Sequence, residues 1–473
     1  MRAAGPLLRK PPRLNVSGDW GKIGLGVALI GAVLFGQQLY GMATAHSRLD
    51  PSLQGATMPS NVVVILDFMP ERFHNERVAE YGVFAGRDRA FQPRDLDARP
   101  GRGIGRTREG DGGPRGRGRR TMTAEPREGL RDTTPYVSPQ LEIAARLNTN
   151  ESPRPLPRAF FDELTQAIAN LPLNRYPDGQ MRRLREELAA IHGTDVSGAW
   201  AANGSNEVMS QLLQAYGGPG RRALTFEPTY LLHTRLCSLT HTAIEHRPLP
   251  ADFVLTPAAV DIAAALAPDV LFVCSPNNPT GNAQPVRIVQ AIAEALPASL
   301  VIVDEAYGEF APHATSIGLL GAHDNVAVVR TFSKAFATAG ARVGYVLTSA
   351  GVVEDLERVR LPYHLSALAQ TAAIAAIHHR LEAAQLLDAI REQRDRISAE
   401  LATIPGMTVY PSEANFVLFV PPGDATALWQ ALADRGVLVR DMTAVVPGAL
   451  RVTAGSEHET DLFLGALKEA LHA

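Results

Sequence analysis

From Met122 to the C-terminus, short runs of almost wholly apolar residues alternate with longer stretches of helical periodicity, and no other feature restricts the fold as strongly. Residues 269–274 (DVLFVC), 300–303 (LVIV) and 325–330 (NVAVVR) are short and nearly all apolar. A strand of that composition has to be covered on both faces, as in a sheet packed between layers of helices. Apolar residues at helical spacing mark 181–191, 207–216 and 368–394. Strands alternating with helices imply crossover connections, hence a mostly parallel sheet. No internal repeat at a solenoid period interrupts the pattern.

The first 121 residues are of another kind. Residues 1–21 form a basic, Pro-containing tail (Arg2, Arg9, Lys10, Arg13), and residues 22–45 an apolar segment. The cleanest apolar run, 23–36, is shorter than the ~20 residues that span a bilayer, although counting on to Ala45 reaches that length. Ala43-Thr44-Ala45 equally suits the A-x-A site of a secretory signal. The segment therefore reads as a membrane anchor or a signal, while a true start at Met122, or a fusion of unrelated coding sequence, accounts for the same residues. Lys and Arg lie on both sides of it, so the positive-inside rule fixes no orientation. Residues 61–68 (NVVVILDF) would make one strand with no partners nearby. Residues 46–121 are expected to be a disordered extension: the Arg/Gly-rich tract 101–120 cannot bury apolar surface. That tract has no interleaved aromatic residue for base stacking and reads as a solvated linker.

Composition removes several classes of function. At 45% hydrophobic and 20% charged residues the chain is neither collagen-like nor wholly disordered. A net charge of −3 removes global basicity, and no nucleic-acid partner is expected. Cys237 and Cys274 are the only cysteines, too few for a disulfide framework or an all-cysteine metal centre. A cytoplasmic enzyme that needs no metal fits best, with membrane contact confined to residues 22–45.

Polar residues gather where the apolar runs end. In 331–346 (TFSKAFATAGARVGYV), Lys334 follows a strand-like run and Arg342 comes eight residues later. A lysine becomes nucleophilic when burial and neighbouring cations lower its pKa. Residues 301–310 (VIVDEAYGEF) place Asp304 at a strand end and Tyr307 three residues on; in an α/β sheet, ligands bind at that end. Asn278 stands in the Asn-, Pro- and Gly-rich turn of 274–282 (CSPNNPTGN). Gly204, Ser205 and Asn206 open a helical pattern whose free N–H groups suit a phosphate, and FEPTYLLH supplies Tyr230 and His233. An amine, a carboxylate, an aromatic plate, a side-chain amide and a phosphate cup together match pyridoxal 5'-phosphate, which needs a lysine for its aldehyde and an acid for its ring nitrogen.

With these motifs in place, residues 122–473 resemble the fold type I pyridoxal-phosphate aminotransferases, and within them the histidinol-phosphate aminotransferases of actinobacterial type. The matching segments run in family order: TPYVSPQ (134–140), RLNTNESP (146–153), NRYPDG (174–179), WAANGSNE, SPNNPTGN, VDEAY, TFSKAFATAGARVGY, RLPYHLS (360–366), ANFVLF (414–419) and LRVTAG (450–455). The resemblance implies that Lys334 links to the cofactor and shuttles a proton, that Asp304 pairs with the ring nitrogen, and that Tyr307 and Asn278 hold the phenolic oxygen. It implies that Tyr230 stacks on the ring with His233 behind Asp304. The phosphate would be held by Gly204, Ser205, Asn206, Thr331, Ser333 and Arg342, together with Tyr176 of a second subunit in a homodimer with shared active sites. Arg451 would pair with the substrate's anion, Tyr136 would close over it, and Asn415 would flank the pocket.

The implied reaction is reversible transfer of an amino group between L-histidinol phosphate and 2-oxoglutarate, yielding glutamate, in histidine biosynthesis. Aromatic amino-acid transamination and phosphothreonine decarboxylation use the same scaffold and stay open, as does a non-catalytic, membrane-tethered ligand-binding protein. The expected layout is an N-terminal arm and the start of a small domain (122–173), a large cofactor-binding domain with a seven-stranded sheet (174–347), and a smaller α+β domain (348–473). The family pattern is broken at Ser152, where Asn is usual, and by Leu231 and Leu232, which leave the side-pocket shape open.

Overall fold

The computed structural model describes residues 141–472. The tail, the apolar segment 22–45, the run 61–68, the Arg/Gly-rich tract and Tyr136 lie outside them.

Thirteen strands are present among the described residues: β1 (Ala145–Arg146), β2 (Ala199–Ala202), β3 (Arg222–Glu227), β4 (Ala243–Pro248), β5 (Val270–Cys274), β6 (Leu300–Asp304), β7 (Val326–Thr331), β8 (Gly344–Leu347), β9 (Thr408–Val409), β10 (Phe416–Val420), β11 (Val437–Leu438), β12 (Arg440–Asp441) and β13 (Leu450–Thr453). Seven of them form one sheet in the order β2-β8-β7-β6-β5-β3-β4. Pairing is parallel from β4 through β7, and β8 runs antiparallel to both of its neighbours. This is the mostly parallel sheet expected from the apolar runs.

Alternate side chains of a strand point to opposite faces, and here both faces are apolar. Val270, Phe272, Leu300, Ile302, Ala327 and Val329 join one core, with Val208, Met209, Leu212 and Leu213 of the helix Ser205–Tyr216. Leu271, Val273, Val301, Val303, Val326 and Val328 join a second core, with Ile288, Val289 and Ile292 of the helix Val286–Ala295. The all-apolar strands are thus sandwiched between helices, which is why they carry no polar alternation.

A second sheet of four antiparallel strands, β12-β13-β10-β9, lies beside the long helix Arg380–Ala402, and the parallel pair β1-β11 lies beside the C-terminal helix Glu457–His472. The periodicity over 368–394 predicts one helix, whereas the chain forms two, Ala367–His378 and Arg380–Ala402. His379 breaks the run with φ −96° and ψ 24°. Its ring is held between Glu163 Oε2 at 3.1 Å and Glu382 Oε1 at 3.3 Å, a tertiary anchor that apolar spacing does not register. Among the described residues no helix is long and apolar enough to cross a membrane, and no His, Cys, Asp and Glu cluster suits a metal ion.

Candidate active site

Parallel strands present their C-terminal ends on one edge, so β5, β6 and β7 bring Cys274, Asp304 and Thr331 together there. Asp304 is buried. Its Oδ2 lies 3.1 Å from Nε2 of His233, and its Oδ1 accepts the Ala306 N–H at 3.1 Å. A carboxylate only accepts, so Nε2 is the donor. The His233 ring is sandwiched by Phe272 (centroids 4.6 Å apart, planes 10° apart) and the edge of Tyr230 (5.6 Å, 89°). His233, three residues on from Tyr230 at a helix start, therefore serves Asp304 from one side.

An anion cup lies at the start of the helix Ser205–Tyr216. Its first N–H groups, Ser205 and Asn206, have no partner within the helix. Gly204 precedes them with φ +86°, in the region glycine tolerates. A Cβ on Gly204 would stand 2.6 Å from Arg342 Nη2, and one on Gly344 would stand 2.1 Å from the Ser205 nitrogen. The two glycines thus let Arg342 and β8 close against the helix start. Arg342 Nη1 donates to Ser333 Oγ at 3.1 Å, and Thr331 Oγ1 lies 3.0 Å from the same oxygen. Tyr230 adjoins this cup, its hydroxyl 3.5 Å from Asn206 Oδ1.

Lys334 and Arg451 meet from opposite sheets. Lys334 follows β7, and its Nζ donates to the Thr149 carbonyl at 3.0 Å, 5.9 Å from the centre of the Tyr307 ring. Arg451 projects from β13, its Nη2 donating to the Asn148 carbonyl at 3.1 Å and its Nη1 to Asn278 Oδ1 at 2.5 Å. Its guanidinium carbon sits 5.0 Å from the centre of the Phe416 ring. Because Oδ1 of Asn278 is taken, its amide nitrogen is the group left to donate elsewhere. Tyr307 accepts at its hydroxyl from Asn150 Nδ2 at 2.8 Å.

Burial lowers the pKa of Lys334 from 10.5 to about 8; Arg451 and Arg342 push it the same way, and Glu151 opposes them. The neutral amine is therefore within reach near neutral pH, about a tenth of the population at pH 7, as nucleophilic work requires. Burial pushes the Tyr307 phenol up to about 12, with Arg451 and the Asn150 bond pulling against it. Tyr307 keeps its proton and can donate it.

The sequence-predicted residues thus fall into one neighbourhood, with two exceptions. Tyr136 lies outside the described residues. Tyr176 is 80% exposed and stacks on Tyr363 (centroids 4.4 Å apart, planes 9° apart), making no contact with the cluster. Asn415 is fully buried and donates to the Asn150 carbonyl at 3.1 Å. Sequence reasoning missed residues 148–150, although RLNTNESP was recognised as a motif: two of the three act through backbone carbonyls, which side-chain identity does not advertise. It also missed Arg330, whose Nη2 lies 2.7 Å from Glu305 Oε2 and whose Nη1 lies 3.0 Å from Glu309 Oε1. Arg330 and Glu305 sit at the ends of apolar runs, and one charge at each end was the available signal.

Residues 142–467 match the family model for class I and II aminotransferases. A histidinol-phosphate aminotransferase of Frankia casuarinae is 47% identical over 359 residues, covering 73% of this chain and 90% of that protein. The enzyme of the same name from Paenarthrobacter aurescens is 45% identical over 355 residues, covering 73% of this chain and 94% of its own. Among solved structures, histidinol-phosphate aminotransferase from Sinorhizobium meliloti, in complex with pyridoxal-5'-phosphate, superposes with a TM-score of 0.66 at 26% identity, covering 73% of this chain and 97% of that one. The chain belongs to the class I and II aminotransferase family, in its histidinol-phosphate aminotransferase branch.

Proposed function

We propose that the enzyme transfers an amino group between L-histidinol phosphate and 2-oxoglutarate, with pyridoxal 5'-phosphate as carrier, in histidine biosynthesis. The observation that carries this reading is the meeting of Lys334 and Arg451 on adjacent carbonyls of one segment, Thr149 and Asn148, at 3.0 and 3.1 Å. An amine of lowered pKa and an anion-binding guanidinium then face one substrate.

The donor set fits the cofactor. The cup of Gly204, Ser205, Asn206, Thr331, Ser333 and Arg342 offers N–H, O–H and guanidinium donors to a phosphate dianion, and the close approaches at Gly204 and Gly344 leave it no side chain to displace. When bound, the cofactor supplies an aldehyde that carries the amino group and a ring that accepts electrons. Asp304, oriented by His233, would hold the proton on the ring nitrogen. Tyr230 would cover one ring face, while Tyr307 and the Asn278 amide would donate to the ring oxygen. Lys334 Nζ takes and returns the proton at the substrate carbon that bears the amine. Arg451 pairs with the phosphate ester of one substrate and the carboxylate of the other, since one fixed fork suits either anion. Asn415 supports this pocket by fixing the Asn150 carbonyl.

We read residues 174–347 as the cofactor-binding domain, and 122–173 with 348–473 as the arm and small domain, facing the cytoplasm. The exposed Tyr176–Tyr363 stack supports a homodimer in which Tyr176 completes the phosphate site of the second copy. Sedimentation of the holoenzyme tests this: a monomer that binds the cofactor as tightly as any dimer removes Tyr176 from the site.

The substrate assignment is tested with histidinol phosphate, phenylalanine and O-phosphothreonine on one preparation. Histidinol phosphate should lead by about 100-fold or more in kcat/KM, the discrimination available to a site built to pair a specific polar group. Equal or better turnover of phenylalanine, or decarboxylation of phosphothreonine, contradicts the assignment.

A further inference from the structure

Asn150 is a buried residue with φ +54°, and every polar group it owns is engaged. Its N–H donates to Thr453 Oγ1 at 3.0 Å, and the Thr453 hydroxyl donates in turn to Asn150 Oδ1 at 3.0 Å. Its carbonyl accepts from Asn415 Nδ2 at 3.1 Å. The side-chain oxygen being taken, the side-chain nitrogen is the group that faces Tyr307, and it donates to the phenolic oxygen at 2.8 Å. The amide orientation is therefore set by Thr453, two residues along β13 from Arg451.

A phenol has one proton. With its oxygen already accepting from Asn150, the Tyr307 O–H is free to donate into the pocket rather than back toward the N-terminal segment. Resting on the functional reading above, we propose that Asn150 is a positioning residue that aims the Tyr307 hydroxyl proton at the cofactor's ring oxygen, so that docking of residues 148–150 sets the protonation of the bound cofactor. The same three residues touch Arg451, Lys334 and Tyr307 in turn, from three separate elements. One segment thus aligns the anion fork, the amine and the phenol together.

A donor aimed at the ring oxygen stabilises negative charge there and lets the site release its proton at lower pH. Removing the aim should move that titration upward. The test uses the wild type, Asn150→Gly (glycine accepts the positive φ without strain), Tyr307→Phe and the double variant, each reconstituted with pyridoxal 5'-phosphate. The reading is the pH at which the visible absorption band changes, which reports no turnover. Asn150→Gly should raise it by about half a unit to one unit and Tyr307→Phe by one unit or more, orders set by the loss of a hydrogen bond to the charged form. The double variant should match Tyr307→Phe alone. An unmoved titration in Asn150→Gly, or shifts that add in the double variant, overturns the inference. If Asn150→Gly does not fold, Thr453→Val frees the same amide and should shift the titration in the same direction; an unmoved value there overturns the inference equally. A wild type that develops no band refutes the functional reading and this inference with it, whereas a normal wild-type band with unmoved variants refutes this inference alone.

Discussion

Two polar clusters sit at neighbouring strand ends of the large sheet and are built on opposite principles. In one, Arg330 donates from Nε and Nη2 to Glu305, from Nη1 to Glu309 and from Nη2 to the Thr315 hydroxyl, so the cation is matched inside the protein. The pull of Glu309 and Glu305 outweighs burial and raises the Arg330 pKa, keeping it charged. In the other, Lys334 donates to the Thr149 carbonyl and Arg342 to the Ser333 hydroxyl and the Ala339 carbonyl, and Arg451 joins them with Asn278 Oδ1 and the Asn148 carbonyl among its partners. Asp304 and Glu305 are consecutive, yet one faces His233 and the other Arg330. A cation met by carboxylates marks a cluster that holds the sheet together. Cations held by carbonyls and a hydroxyl beside a helix start mark one arranged for an anion.

Breaking the second cluster should remove function with little loss of fold, and breaking the first should do the reverse. The largest effect is expected for Lys334→Ala, where turnover by the reconstituted enzyme should fall by about 10⁴-fold or more, the scale on which a positioned proton-transfer group acts. Its thermal midpoint should hold or rise, since a buried cation is removed. Next comes Arg330→Met, which leaves Glu305 buried without its cation and should cost about 3–5 kcal/mol of stability by denaturant titration. Adding Glu305→Gln should recover part of that loss, whereas an equal loss in Arg330→Met and the double variant would show that the pair acts through packing alone. Arg451→Lys replaces a fork by a point charge, and kcat/KM should drop about 10- to 150-fold, the worth of a hydrogen bond to a charged group. The stability of that variant should stay within about 1 kcal/mol of the wild type.

The smallest effect is a pH slope. The Lys334 pKa is about 8 in the folded protein against an ordinary 10.5. Between those values the unfolded chain keeps a proton that the folded chain has released, so this group makes stability rise with pH across that window, while below it the buried cation's cost is constant and adds no slope. The cofactor-free wild type should therefore gain thermal stability relative to Lys334→Met between about pH 8 and 10.5. Parallel pH profiles for the two proteins would place Lys334 in solvent.

The same contrast explains what was legible in the sequence. Strands β5, β6 and β7 were visible because burial on both faces leaves an unbroken apolar run. Lys334, Asp304, Tyr307, Asn278 and Arg342 were visible because chemistry concentrates at the ends of such runs, and the family motifs gave them order. The break at His379 was hidden, because the apolar spacing continues through it and its cause is a pair of glutamates, one of them far off in sequence. Residues 148–150 were recognisable as a motif but silent about role, since Asn148 and Thr149 reach the cations through carbonyl oxygens that every residue type carries. Arg330 looked like the polar end of a strand, and only the fold brings Glu305 and Glu309 to it.

The chain has just four lysines, Lys10, Lys22, Lys334 and Lys468, so the amine that links to the cofactor can be identified directly. The protein is saturated with pyridoxal 5'-phosphate, reduced with borohydride and digested, and the labelled peptide is sequenced. One label per chain is expected, on Lys334, lost in Lys334→Ala and diminished in Asp304→Ala. A label on Lys10, Lys22 or Lys468 in place of Lys334, or a full single label that survives Lys334→Ala, would contradict the assignment to Lys334.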